Sequence, residues 1–307
     1  MISRLTTLGL ALGLLLAAGT AAAGTLLFIG NSFTYGHGSA VRFYRANTVT
    51  DLNGLGIGGV PALFKSFASQ AGLDYDVFLE TQPGSGLDWH LANKAPALGQ
   101  QRWDSVVMHG HSLLDPNKPG DATQLVAGVR QMATLLRERN ATVALRLMAT
   151  FPRADQLYAP GGAWLGKPID VMVRDVRAGY DQAAADTPGI KAVVPVGEAW
   201  TRAMRTGVAD PNPYDGIDAG KLDLWTYDRY HASTAGYYLE ALMLFGSLTG
   251  KDPRSLGSTE CSGFELGLSE EQVQALQQVA FEQLDAEDPF TPTSAIGRTP
   301  GEPARCR

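Results

Sequence analysis

The sequence predicts an α/β fold: a parallel sheet of about five strands with helices on both faces. Three observations predict it. First, Thr25-Leu26-Leu27-Phe28-Ile29 is a continuous apolar run that stops at Gly30. A run with no polar alternation suits a strand buried on both faces. Second, strand-like segments recur at 75–80, 105–108, 143–148 and 192–196. Third, helical patterns separate them, at 60–71, 122–139 and 169–185, and another at 232–248 follows the last strand. Strand alternating with helix implies crossover connections and hence parallel pairing. In such sheets ligands bind at the carboxyl ends of the strands.

Two segments stand outside the alternation. Residues 35–56 form a polar, Gly-containing insertion between the first strand and its helix, long enough to cover a site. Near the other end, Ser269-Glu270-Glu271-Gln272 has the capping-box pattern and opens a helix to about residue 284. Residues 285–307 carry four prolines and read as extended loop.

The first residues read as an address. Arg4 supplies a positive charge, residues 5–16 an apolar core, and Ala21-Ala22-Ala23 a small-residue cleavage site. That order is expected of a secretory signal peptide spanning 1–23, so the mature chain is expected to be secreted or periplasmic. No other stretch approaches the roughly 20 apolar residues of a membrane helix, and no membrane association is expected after cleavage. The chain is 45% hydrophobic and 18% charged, with a net charge of −6. Its Lys and Arg residues are not clustered, which argues against a nucleic-acid partner. The two cysteines, Cys261 and Cys306, permit a disulfide in an exported chain. It would tie down a tail with few apolar residues. There is no CxxC and no Cys/His cluster at zinc-site spacing.

Two constellations carry chemistry. Gly30-Asn31-Ser32-Phe33-Thr34 follows the first strand directly. A serine at such a turn projects from the sheet edge together with backbone N–H groups, which suits a nucleophile with an oxyanion donor beside it. A plain helix N-cap is the alternative. Far along the chain, Tyr227-Asp228-Arg229-Tyr230-His231 precedes an apolar helix. A serine hydroxyl needs a base, and an imidazole base needs a carboxylate to fix its tautomer; Asp228 and His231, three apart on a turn, can meet.

These two blocks, with Ala232-Ser233-Thr234-Ala235-Gly236-Tyr237-Tyr238 after the histidine, resemble the end blocks of the SGNH (GDSL-like) hydrolases. The first block here is a Gly-Asn-Ser-Phe-Thr variant, with Asn31 where the family usually has Asp. The resemblance implies a flavodoxin-like three-layer α/β/α sandwich over 24–250, an extension over 251–307 packed on the same domain, and hydrolysis of esters. It implies Ser32, His231 and Asp228 as the triad. By the family's pattern Gly86 is the oxyanion-hole glycine, with Gly84 the alternative. The third block usually supplies an Asn donor; here Met108-His109-Gly110-His111-Ser112 stands in its place. His111 falls nearest the position, and His109 is the alternative.

The expected reaction is two-step acyl transfer on a small-molecule or carbohydrate ester, with Ser32, Gly86 and His111 at the oxyanion and no cofactor. Two further readings stand beside it: a metal-dependent hydrolase using His109 and His111, and a catalytically silent carbohydrate-binding protein of the same fold. Trp89 and Trp225 are candidate flat walls for substrate, although core is the commoner place for tryptophan. Phe151-Pro152-Arg153, after the fourth strand, lies at the functional edge. His37 and His90 have no assigned role and are expected at the surface.

Overall fold

The structure is a computed structural model and describes residues 24–289. The expected signal segment 1–23, and the tail beyond 289 with Cys306, lie outside the described residues. The strands are β1 (Gly24–Gly30), β2 (Thr50–Asp51), β3 (Tyr75–Thr81), β4 (Ser105–Met108), β5 (Ala144–Ala149) and β6 (Ile190–Pro195). They form one parallel sheet in the order β2-β3-β1-β4-β5-β6. β1 lies between β3 and β4, so the chain leaves the sheet centre in both directions, as in flavodoxin-like folds.

The helices are α1 (Ser32–Tyr35), α2 (Gly59–Gln70), α3 (Leu87–Leu98), α4 (Thr123–Arg139), α5 (Ala154–Tyr158), α6 (Ile169–Ala185), α7 (Val196–Arg205), α8 (Thr234–Thr249), α9 (Cys261–Glu265) and α10 (Glu270–Glu287). They cover both faces of the sheet. Side chains along β1 alternate between the two halves of the core, as strand geometry requires. Leu26 and Phe28 join the half packed by α2, α7, α8 and α10. Leu27 and Ile29 join the half packed by α4 and α6. No helix among the described residues is long and apolar enough to cross a membrane.

The structure differs from the sequence reading at four places. The insertion at 35–56 contributes a sixth strand, the two-residue β2 at the sheet edge against Phe78 and Leu79. Two residues are too few to show a period. They are held instead by Asp51, whose carboxylate accepts N–H groups from Asn53, Leu55 and Ile57. Residues 87–98 form a helix that buries only Leu87, His90 and Leu98, too sparse a stripe to register as amphipathic. Val196 opens α7 rather than ending a strand. Finally, α10 continues through residues 285–287, expected as loop. Its last turn is held by Arg177 of α6, which bonds Glu287 through Nη1 and Nη2 at 3.2 and 3.0 Å.

The capping box at Ser269 and Gln272 forms as expected, both arms present. α10 lies directly over α8 at Gly246, where a Cβ would collide with Leu284. α8 is therefore covered on all sides, which accounts for its almost unbroken apolar sequence.

Candidate active site

The first block is built around one amide. Asn31 caps the single turn of α1, its Oδ1 accepting the Phe33 N–H at 3.1 Å. Its Nδ2 donates to the carbonyls of Ser85 (2.9 Å) and Gly110 (3.2 Å). One buried side chain thereby joins the loops that leave β1, β3 and β4. An ionised Asp would face those two carbonyls with no proton to offer, which gives a physical reason for the Asn in this block. Ser32 is the first residue of α1, its N–H at the positive end of a helical turn. Its own carbonyl accepts the Tyr237 hydroxyl at 3.0 Å and the His37 N–H at 3.2 Å.

The last block is a tight turn closed by the Thr226 N–H to the His231 carbonyl at 2.8 Å, with Arg229 in the left-handed region (φ 58°). Asp228 Oδ1 accepts the backbone N–H groups of Tyr230 (3.0 Å) and His231 (2.9 Å). Its Oδ2 accepts from His231 Nδ1 at 2.6 Å. Burial opposes ionisation of Asp228, but these donors outweigh it and hold the carboxyl below its ordinary pKa. Burial lowers the His231 pKa; Asp228 works against the shift, and His37 and Arg153 add to it. The neutral form of the His231 ring is thus favoured, with its proton on Nδ1 toward Asp228 and Nε2 unprotonated.

Packing brings the two blocks together. The Phe33 ring lies 5.7 Å from the His231 ring, and Tyr237, on the helix that follows His231, reaches back to the Ser32 carbonyl. Tyr230 stacks on His231 (4.0 Å, 29°), and the Arg153 guanidinium sits 3.6 Å from the Tyr230 ring centroid. Arg153 is held by Asp155 and reaches toward Ser112. The His37 ring also packs on His231, at 4.3 Å.

The middle blocks divide their histidines. His109 is buried in the fabric: its Nδ1 bonds the Gly110 carbonyl at 2.9 Å and its Nε2 pairs with Thr34 Oγ1 at 2.8 Å. A carbonyl can only accept, so Nδ1 carries the proton and Nε2 takes Thr34's. Burial pulls its pKa down to about 4. With both nitrogens engaged, His109 has no free lone pair for a metal ion, which weighs against the alternative reading of a His109/His111 metal pair. Nor does it compete for the oxyanion. His111 is half-buried and lies against Gly86, where a Cβ would fall 2.9 Å from its Nε2. Gly86 is the N-cap of α3 in extended conformation, so its N–H sits at the positive end of that helix. Gly84, with φ 65°, is exposed turn backbone.

Trp225 takes the commoner place for tryptophan and is core, its Nε1 donating to the Pro152 carbonyl at 2.8 Å, so it is not a wall for substrate. Phe151 is likewise core, stacked between Phe33 (4.2 Å) and Trp200 (4.3 Å). His90 is fully buried rather than exposed, hydrogen-bonded to Glu80. His37 is half-buried against His231. Sequence reading missed Tyr237 and the cross-loop role of Asn31, because both act on residues remote in the chain, and Tyr230, whose stacking on the adjacent His231 is joined by Arg153 from a distant loop.

No protein-family model matches the chain, and no curated protein matches it in sequence. Solved structures do match. A DUF4886 family protein from Bacteroides uniformis is 18% identical, with a TM-score of 0.58 over 88% of this chain and 97% of its own. An acetylxylan esterase from Geobacillus stearothermophilus is 17% identical, with a TM-score of 0.50 over 74% of this chain and 94% of its own. An α/β hydrolase enzyme from the metagenome of Lake Arreo, Spain, is 15% identical, with a TM-score of 0.50 over 74% and 95%. Sheet order, layer arrangement and these likenesses together give the chain a flavodoxin-like three-layer α/β/α fold shared with these solved structures.

Proposed function

We propose that this chain is a serine ester hydrolase in which Ser32 is the nucleophile, His231 the base and Asp228 the group that orients it. The observation that carries the reading is the Asp228 carboxylate, held by two backbone N–H groups and aimed at His231 Nδ1 at 2.6 Å. Such an arrangement fixes the tautomer that leaves Nε2 to accept a proton. Phe33 against His231, and Tyr237 on the Ser32 carbonyl, set that base beside the first block.

In the proposed reaction Ser32 Oγ attacks an ester carbonyl while His231 Nε2 takes its proton. The oxyanion rests on the Ser32 and Gly86 N–H groups, each at a helix N-terminus, with His111 as a third donor. His231 then protonates the departing alcohol, takes a proton from the attacking water, and returns it to Ser32 Oγ as the bond to the acyl group breaks and the carboxylic acid leaves. A small crevice between Gly86, His111, Leu114 and Leu125 adjoins the two proposed oxyanion donors, and a short O-acyl group is the substrate proposed for it. Tyr227, exposed beside Asp228, offers a flat apolar face suited to a sugar alcohol.

A fluorophosphonate probe tests the reading directly. A single covalent adduct mapped to Ser32, absent in Ser32→Ala, is expected, together with faster turnover of acetyl than of long-chain esters. A folded protein that neither reacts nor turns over any ester would end the proposal. Export with cleavage after Ala23, and a Cys261–Cys306 disulfide, are proposed alongside. Intact mass and non-reducing peptide mapping of protein from its native compartment check both.

A further inference from the structure

His37 is left without a role by the proposed reaction, yet the structure holds it firmly against the base. Its backbone N–H is bound to the Ser32 carbonyl, and the carbonyl of the next residue, Gly38, accepts the Thr226 hydroxyl at 3.0 Å. The loop is thus fastened to the first block on one side and to the Asp228 turn on the other. Its ring Nδ1 lies 3.3 Å from the Tyr35 hydroxyl, and its ring centroid lies 4.3 Å from that of His231. One ring nitrogen of His37, one of His231 and one carboxylate oxygen of Asp228 all fall within 4.8 Å of one another. Among the described residues this is the one group of three His, Cys, Asp or Glu side chains with that property.

We propose that His37, His231 and Asp228 form a site for a divalent transition-metal ion of the zinc class, and that an ion bound there takes the base out of service. Two imidazoles and a carboxylate are the donor types such an ion prefers. Two ligands of one tetrahedral zinc lie ~3.4 Å apart, given metal–nitrogen bonds of about 2.0–2.1 Å. Closing the trio from 4.8 Å or less therefore needs side-chain shifts of about an ångström, and half-buried His37 has room to make them. The surroundings suit the ion as well. Ligating imidazoles ordinarily have their second nitrogen hydrogen-bonded, and His37 has its Nδ1 partnered by Tyr35; at His231 the ion would replace the Nδ1 proton that Asp228 accepts, so that both side chains share the ion. His109 and His111 lack this arrangement, since His109 spends both nitrogens on Thr34 and Gly110.

The consequence for turnover rests on the function proposed above. An ion held by His231 occupies a lone pair or displaces the proton shared with Asp228. In either case Ser32 loses the group that would receive its proton. Zinc is then a reversible inhibitor at this site and not a cofactor.

The test separates binding from activity. Zn²⁺ is titrated into the metal-stripped, untagged full chain against a chromophoric chelator, for wild type, His37→Ala, His37→Gln and Ser32→Ala. One ion per chain is expected, with affinity lowered roughly 10-fold or more in both His37 variants and retained in Ser32→Ala. Circular dichroism confirms that each variant is folded. Equal affinity in wild type and a folded His37 variant, or no wild-type binding below millimolar zinc, overturns the site. In parallel, Zn²⁺ should suppress ester turnover, EDTA should restore it, and His37→Gln should need roughly 10-fold more zinc. Stoichiometric binding with undiminished turnover overturns the inhibitory role. A chain that hydrolyses no ester defeats the function proposed above, while the zinc titration still decides the site.

Discussion

His109 and His231 are both buried imidazoles near the same sheet edge, both with pKa values pushed below the ordinary 6.5, and they do different things. His109 has a partner on each nitrogen, Thr34 and Gly110. His231 has Nδ1 bound to Asp228, its ring packs against Tyr230, His37 and Phe33, and its Nε2 has no hydrogen-bond partner among the described residues. Burial and a lowered pKa therefore do not distinguish a base from a strut. What distinguishes them is whether one lone pair has been left unspent.

The largest expected effect breaks the His231 side of the pair. His231→Gln or Asp228→Asn should lower turnover by roughly 10⁴-fold, as loss of the base or of its tautomer does in other triads. The melting temperature should move far less. Substrate saturation curves on the folded variants check this, and a variant retaining a tenth of wild-type turnover would contradict the assignment. Next in size is the donor that His109 does not supply. His111→Ala should cost roughly 10²- to 10³-fold in kcat with little change in KM. An equal loss from His109→Gln, with stability intact, would reverse the roles given to these two residues.

The strut has its own signature. A histidine whose folded pKa is depressed contributes stability that is present above its unfolded pKa and lost as pH falls through the folded one. For His109 that window runs from 6.5 down to about 4, and the loss amounts to roughly 3 kcal/mol. Wild type should lose about that much more than His109→Gln across the window, read by denaturant unfolding at each pH. Parallel curves would show that His109 does not titrate there.

The smallest effect concerns the base itself. Only neutral His231 can accept a proton, so turnover should fall on the acid side, with its inflection below 6.5. Arg153 adds to the lowering, so Arg153→Met should move the inflection upward. Rate profiles in EDTA-containing buffer measure both; an inflection above 6.5 in wild type would contradict the buried environment described for the ring.

The legible parts of this chain were those whose causes are local. The apolar run 25–29 suits a doubly covered strand and forms one, and Ser269 with Gln272 has the pattern of a capping box and forms one. Asp228 and His231 were legible because three residues on one turn suffice to join them. What stayed hidden depends on contacts that no periodicity or short motif announces. β2 exists because Asp51 gathers three N–H groups and β3 offers an edge. His90 looked like a surface residue until Glu80, ten positions earlier, met it inside the protein. The Arg177 contacts that carry α10 past residue 284 come from a helix about a hundred residues upstream.

Asn31 gives the site a property of assembly. Its amide reaches partners 54 and 79 positions away, so three loops share one fastening. Such loops cannot drift separately: a change that shifts Ser85 alters the demand on Gly110 through the same nitrogen. Substitutions in these three segments should therefore be strongly non-additive. A library that varies one loop at a time would underestimate what coordinated changes can reach, and a graft of the first block alone into another scaffold would arrive without the two carbonyls that hold it in shape.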